Sequence, residues 1–202
     1  MKQEEVHQIK NTTWNEFHKT KQFVTGTGID DILGWHQVSR PNGKLVMDIG
    51  VGLGAFIEGL SNTNTMIGVD VSKDLLNNVK RNCKEVYLSN DLKETEEVDL
   101  AMCSLVLQHN HEFEVTRIIN DVNLKDDGMF SFQFATLNLQ KSALSPMIME
   151  DINKSMMYFY SVDKMREIVG RTNKKIIKEI GPIWFGQPFG FDWYIFHVTK
   201  NK

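Results

Sequence analysis

LVMDIGVGLGAFIEGL, residues 45–60, is the stretch on which the fold of this 202-residue chain turns. LVMDIG (45–50) is an apolar run interrupted only by Asp48, the pattern of a strand buried on both faces of a parallel sheet. Gly50, Gly52 and Gly54 follow at alternate positions, and AFIEGL (55–60) opens a helix. Glycines at a strand-to-helix junction let the backbone turn tightly and approach a ligand closely, while the first helical turn presents unpaired N–H groups.

Working outward, apolar runs and helical patterns alternate, as they do in a parallel sheet covered by helices on both faces. TMIGVD (65–70) is the second strand. SKDLLNNVKRN (72–82) is a helix with Ser72 as its N-cap and Leu75, Leu76 and Val79 on one face. EVYLSND (85–91) gives a short third strand and VDLAMCSLVL (98–107) a buried fourth. Glu112 to Val122 is helical, with Val115, Ile118, Ile119 and Val122 at helical spacing. Gly128 introduces a fifth strand, MFSFQF (129–134). A helix from Val162 to Arg171 precedes two last strands, KKIIKEI (174–180) and DWYIFHVTK (192–200). The expected fold is an α/β, doubly wound, Rossmann-like domain over residues 1–202 with a seven-stranded sheet. Two regions break the alternation: residues 1–40, an aromatic-bearing N-terminal cap, and residues 136–160, a Met-rich excursion after strand five. Additions near the carboxyl ends of strands in such sheets build ligand pockets, although methionines also fill irregular cores.

Composition narrows the function classes. With 23 basic and 26 acidic residues, the formal charge is −3, so no global electrostatic footprint for nucleic acid or anionic membrane is expected. MKQEEVHQIK at the start has no apolar core of a leader, and Leu100–Leu107, the longest apolar stretch, is too short to cross a bilayer. A cytoplasmic protein is expected. Cys83 and Cys103 are too far apart for a Cys-x-x-Cys site and read as reduced core residues.

The glycine loop admits two ligands. Gly50-x-Gly52-x-x-Ala55 is also a dinucleotide fingerprint, so an NAD(P)-dependent oxidoreductase is the alternative enzyme. Asp48 weighs against it, because a carboxylate two residues before the first glycine repels a pyrophosphate and attracts a cationic amine. Asp70, 20 residues after Gly50 at the end of strand two, is placed to accept hydrogen bonds from ribose hydroxyls in either case.

These segments, with LSNDL, EVDLAMCSLVLQHN and NLKDDGMFSF after them, resemble the ordered motifs of class I S-adenosylmethionine-dependent methyltransferases acting on small molecules. The resemblance covers roughly residues 40–135. It implies S-adenosylmethionine as cofactor, Asp48 near the methionine amino group, and the backbone of Gly50, Gly52 and Gly54 along the cofactor. Asp70 would hold the ribose, Val71 would lie beside the adenine, Asp91 and Leu92 would meet the adenine edge, and Ser104 would lie where strand four approaches the cofactor. The family also adds a final strand pair whose last member is antiparallel. Val51 and Leu53 depart from the small or polar residues common in the first motif, and NLKDDG lacks the usual proline-glycine. These departures keep open a non-catalytic, cofactor-binding regulatory subunit.

Other chemistry finds less support. HNHEFE offers His109, His111, Glu112 and Glu114, but the remaining histidines supply no matching pair, so no metal is expected. After strand four, DNA amino-methylating relatives carry an acid or asparagine, two prolines and an aromatic; SLVLQHN does not, so DNA is not an expected partner. His109 follows strand four at the carboxyl edge, and an imidazole ordinarily titrating near pH ~6.5 is suited to accept a substrate proton; the alternative is a helix cap or pocket-shaping residue. Trp14 and Phe17 in the N-terminal region, with Trp184, Phe185 and Phe189 in GPIWFGQPFGFDW, read either as a lid that expels water from a small-molecule substrate or as ordinary cover for the sheet.

Overall fold

β1 (Leu45–Ile49) is buried after its first residue because parallel strands flank it. β2 (Thr65–Asp70) pairs with it from Leu45↔Thr65 to Ile49↔Val69, and β4 (Val98–Cys103) pairs from Val46↔Leu100 to Asp48↔Met102. The computed structural model describes residues 28–137, 157–183 and 191–201. Its strands form one seven-stranded sheet of order β3-β2-β1-β4-β5-β7-β6, with β3 at Glu85–Leu88, β5 at Leu124–Leu137, β6 at Lys174–Ile183 and β7 at Phe191–Lys200. β7 runs antiparallel to both β5 and β6, and β3 pairs parallel with β2. This is the mixed, Rossmann-like sheet expected from the sequence, with its last strand reversed.

Two compact units divide between Met102 and Cys103. In the first, α1 (Ile29–His36), α2 (Ala55–Leu60) and α3 (Lys73–Val79) accompany β1–β4. α3 starts where its N-cap dictates: the Leu75 N–H donates to Ser72 Oγ at 3.2 Å, and Leu75, Leu76 and Val79 are buried. Loss of such a cap costs about 1 kcal/mol. β3 stops at Leu88, shorter than its sequence pattern, and a 3-10 turn over Ser89–Glu94 follows, closed by Thr95 Oγ1 donating to the Leu92 carbonyl at 2.8 Å.

The second unit contains β5–β7, α4 (Glu112–Asp121) and α5 (Val162–Gly170). Phe130, Phe132 and Phe134 alternate along β5 and are fully buried with Phe196 of β7, ring centroids 5.0–6.0 Å apart. Such aromatic pairs contribute about 0.5–1.5 kcal/mol beyond their burial. α4 buries Val115, Ile118 and Ile119, the stripe its spacing predicts.

The boundaries of the fifth and fourth strands also differ from the sequence reading. β5 begins at Leu124 rather than at Met129, so Gly128 lies inside the strand, where Thr199 Oγ1 of β7 donates to its carbonyl at 2.9 Å. The fourth strand ends at Cys103 instead of Leu107. Leu105 adopts a left-handed φ of 57°, which a ladder cannot continue, and a 3-10 turn at Leu107–His109 follows, its end held by Asn110 Nδ2 donating to the Val106 carbonyl at 2.7 Å. No helix among the described residues is long and apolar enough to cross a membrane.

Candidate functional site

The glycine loop follows β1 directly. Gly50, Gly52 and Gly54 have φ of 82°, 49° and 90°, the left-handed region that glycine enters without a Cβ penalty. The N–H groups of Gly50 and Val51 donate to the Val69 carbonyl of β2 at 2.7 and 3.3 Å, and that of Gly54 donates to the Val51 carbonyl at 2.8 Å. The Gly52 N–H donates to Asp70 Oδ2 at 3.3 Å, and the Ser72 N–H to Asp70 Oδ1 at 2.9 Å. These loop donors serve protein acceptors, unlike a phosphate cradle, in which they face the ligand.

Gly54 is required twice over: a Cβ there would sit 2.6 Å from Val79 Cγ1, on a backbone with φ of 90°. Gly54→Ala is therefore expected to destabilise the fold by about 2–4 kcal/mol, combining overpacking with left-handed strain. A denaturation midpoint equal to that of the wild type would contradict this. Val51 is buried, and a Cβ on Gly68 of β2 would lie 3.2 Å from Val51 Cγ1, so the valine's bulk is accommodated over that glycine. Leu53, the other departure from the motif, is half-exposed. The Val51–Gly68 contact was not legible in the sequence, because nothing local announces which strand residue lies beneath a loop.

Two carboxylates converge on this loop. Asp48 and Asp70 are both buried, and no described residue donates a hydrogen bond to Asp48. Burial, then the negative charge of Asp70, holds the Asp48 carboxyl well above the ordinary carboxylate range. Cys83, half-buried, is pushed up to about 11, first by burial and then by Asp48, so it remains a thiol at neutral pH. A dianionic pyrophosphate would add to this negative charge, whereas a cationic amine would relieve it.

The sign of the pH dependence follows. A carboxyl raised above its unfolded value, near pH ~3.9, contributes stability below that value and loses it as pH rises through the folded one. Ligand-free Asp48→Asn is therefore expected to melt at a higher temperature than the wild type near neutral pH, with the difference shrinking toward pH ~4. Melting curves across that range check it; an Asp48→Asn protein less stable at neutral pH would contradict it.

Val71 is half-buried beside Asp70, and Asp91 is exposed in the 3-10 turn after β3. Leu92 is fully buried, so its side chain belongs to the core and its backbone is the part left to face a ligand. In the second unit, Ser104 and His109 are half-buried; the His109 N–H donates to the Val106 carbonyl at 3.0 Å. His111 is the exposed N-cap of α4, its ring edge-on to Tyr158 at 5.6 Å. No cluster of metal-ligating side chains occurs among the described residues. Trp14, Phe17, Trp184, Phe185 and Phe189, with residues 1–27 and 138–156 of the two irregular regions, lie outside the described residues.

Fold and loop together define a Rossmann-like α/β domain. Residues 47–132 match the model of a family described as a methyltransferase domain. No curated protein matches the chain in sequence. Among solved structures, the chain is similar to magnesium protoporphyrin IX methyltransferase from Synechocystis PCC 6803 with bound S-adenosylhomocysteine. That likeness has a TM-score of 0.66 at 18% identity and covers 99% of this chain and 100% of that one. It is similar to geranyl diphosphate C-methyltransferase from Streptomyces coelicolor A3(2) (TM-score 0.61, 9% identity, 86% of this chain and 79% of that one). It is also similar to an O-methyltransferase family 2 protein from Planctomyces limnophilus in complex with apigenin (0.54, 15%, 79%), of which it spans about half, 52%. At these identities the likenesses show the fold. The matched segment carries the glycine loop, Asp48 and Asp70.

Proposed function

We propose that the protein transfers the methyl group of S-adenosylmethionine to an oxygen or nitrogen of a small molecule. The observation that carries this reading is Asp48: a buried carboxylate beside a left-handed glycine loop, with no donor among the described residues and a second acid nearby. Its chemistry fits the cationic end of the cofactor. The loop backbone at Gly50, Gly52 and Gly54 would line the cofactor. Asp70, oriented by the Gly52 and Ser72 N–H groups, would accept the ribose hydroxyls, since a carboxylate has about four acceptor sites. Val71, Asp91 and Leu92 would border the adenine, and Ser104 would lie along the cofactor.

When bound, S-adenosylmethionine supplies a methyl group already activated by the sulfonium. The protein's own work is to orient the acceptor and exclude water, with a base only where the nucleophile is protonated. We assign that base to His109. Residues 1–202 would form one methyltransferase domain, with 1–40 as cap and 136–160 as a pocket insertion. Trp14, Phe17, Trp184, Phe185 and Phe189 would act as the lid; turnover unchanged by removal of residues 1–20 would eliminate its N-terminal part. The acceptors named for the solved neighbours, a metalloporphyrin and geranyl diphosphate, and the apigenin bound to a third, support a small-molecule substrate rather than DNA. The geranyl diphosphate enzyme is a C-methyltransferase, so the acceptor atom is the part most in need of a test. Intact mass of products after incubation with S-adenosylmethionine and a metabolite extract supplies it. A metabolite that gains one methyl on oxygen or nitrogen supports the reading. Methylation at carbon, or no product together with no S-adenosylhomocysteine, would refute it.

A further inference from the structure

Two glutamines of the second unit have buried amide atoms that no described residue satisfies. Gln133 of β5 is 1% exposed, and both its Oε1 and its Nε2 lack a hydrogen-bond partner; Gln108, in the turn Leu107–His109, is 2% exposed, and its Oε1 lacks one. Leaving such an atom unpaired carries its full desolvation penalty, so orphaned amide atoms point to a ligand. By contrast Ser131 and its cross-strand neighbour His197, also buried, are both engaged.

The two amides belong to one corner of this unit. The Tyr158 N–H donates to the Gln108 carbonyl at 2.6 Å, the Tyr160 N–H to the Ala135 carbonyl at 2.9 Å, and Tyr160 Oη to the Asn110 carbonyl at 2.6 Å. One short segment thus ties the turn carrying Gln108 to β5 two residues beyond Gln133. Strand alternation puts Gln133 on the same face as Ala135. Ala135 packs with Phe191 and Trp193, and Met157 and Phe159 lie against them; the Phe159–Phe191 and Phe191–Trp193 ring centroids are 5.5 and 5.3 Å apart. Phe191 and Trp193 are buried and Phe159 is half-buried, so the face that carries Gln133 is lined by packed aromatic rings, and aromatic lining with a few polar atoms is the make-up of a small-molecule pocket.

We propose that Gln108 and Gln133 recognise the methyl acceptor, hydrogen-bonding a neutral hydroxyl or amide on a planar, ring-bearing molecule whose ring packs on Phe159, Phe191 and Trp193. This deepens, and rests on, the small-molecule methyltransferase reading. The orphaned atoms offer one donor nitrogen and two acceptor oxygens, which match a hydroxyl beside a carbonyl. Being uncharged, they do not offset the cost of burying a carboxylate.

Protein loaded with S-adenosylhomocysteine, titrated with salicylamide and catechol against benzoate and followed by ligand-observed NMR, tests this. The neutral probes are expected to bind in preference to benzoate. Gln133→Leu and Gln108→Leu are each expected to weaken them about tenfold or more, with S-adenosylhomocysteine affinity unchanged by calorimetry. Melting temperatures of both variants should hold or rise, because an orphaned amide is removed. Benzoate binding as well as salicylamide, no neutral probe binding the wild type, or unchanged probe affinity in both variants would overturn the proposal. Failure of S-adenosylhomocysteine itself to bind would instead overturn the methyltransferase reading, and the same probe titrations without it still decide the role of the glutamines.

Discussion

Asp70→Ala is expected to weaken binding of S-adenosylmethionine and S-adenosylhomocysteine by about tenfold to a hundredfold. Hydrogen bonds to an ionised acceptor are worth about 1.5–3 kcal/mol, and each 1.4 kcal/mol is a factor of ten. The carboxylate also accepts from the Gly52 and Ser72 backbone, so its loss releases both the glycine loop and the entry to α3. Asp70→Asn separates the contributions: the amide oxygen can keep one backbone bond, while the charge is lost. Its affinity is expected to fall between those of the wild type and Asp70→Ala. Titration calorimetry on the three proteins measures this, and wild-type affinity in Asp70→Ala would remove Asp70 from the cofactor site.

His109→Ala is expected to lower turnover by about 10²-fold or more while leaving cofactor affinity nearly unchanged, the signature of a lost general base. His111 supplies an internal control. It is the exposed N-cap of α4 and touches Tyr158 by its ring edge, so His111→Ala is expected to have a much smaller effect. Once an acceptor is known, rates measured across pH ~6–9 distinguish a base from a residue that only shapes the pocket, because removal of a base also removes its limb of the pH profile. Comparable turnover in wild type and His109→Ala over that range would rule the role out.

The central strands were legible because strands buried on both faces read as continuous apolar runs: β2 matches TMIGVD residue for residue, and β1 takes LVMDIG as far as Ile49. Strand ends were less legible because backbone conformation set them. Leu105 turns left-handed inside an apolar run that gives no breaker signal, and β5 runs through KDDG because β7 ties down Gly128. At the site, the order of Asp48, the glycines and Asp70 was visible as a motif. What it does physically was not: the loop's N–H groups are committed to Val69 and Asp70, and Val51 fits over Gly68, both across-strand facts. Gln133 shows the same limit from the other side. Within SFQF it reads as the polar partner of an alternating strand, yet it is buried and unpaired.

The central claim is that the paired acids make this loop a site for S-adenosylmethionine and not for a dinucleotide. Calorimetric titration of the wild-type protein with S-adenosylmethionine, S-adenosylhomocysteine and NAD tests it most directly. Saturable binding of both methyl-cofactor forms, with NAD weak or undetectable, is the expected result. Tight binding of NAD with no measurable binding of either methyl-cofactor form would contradict it.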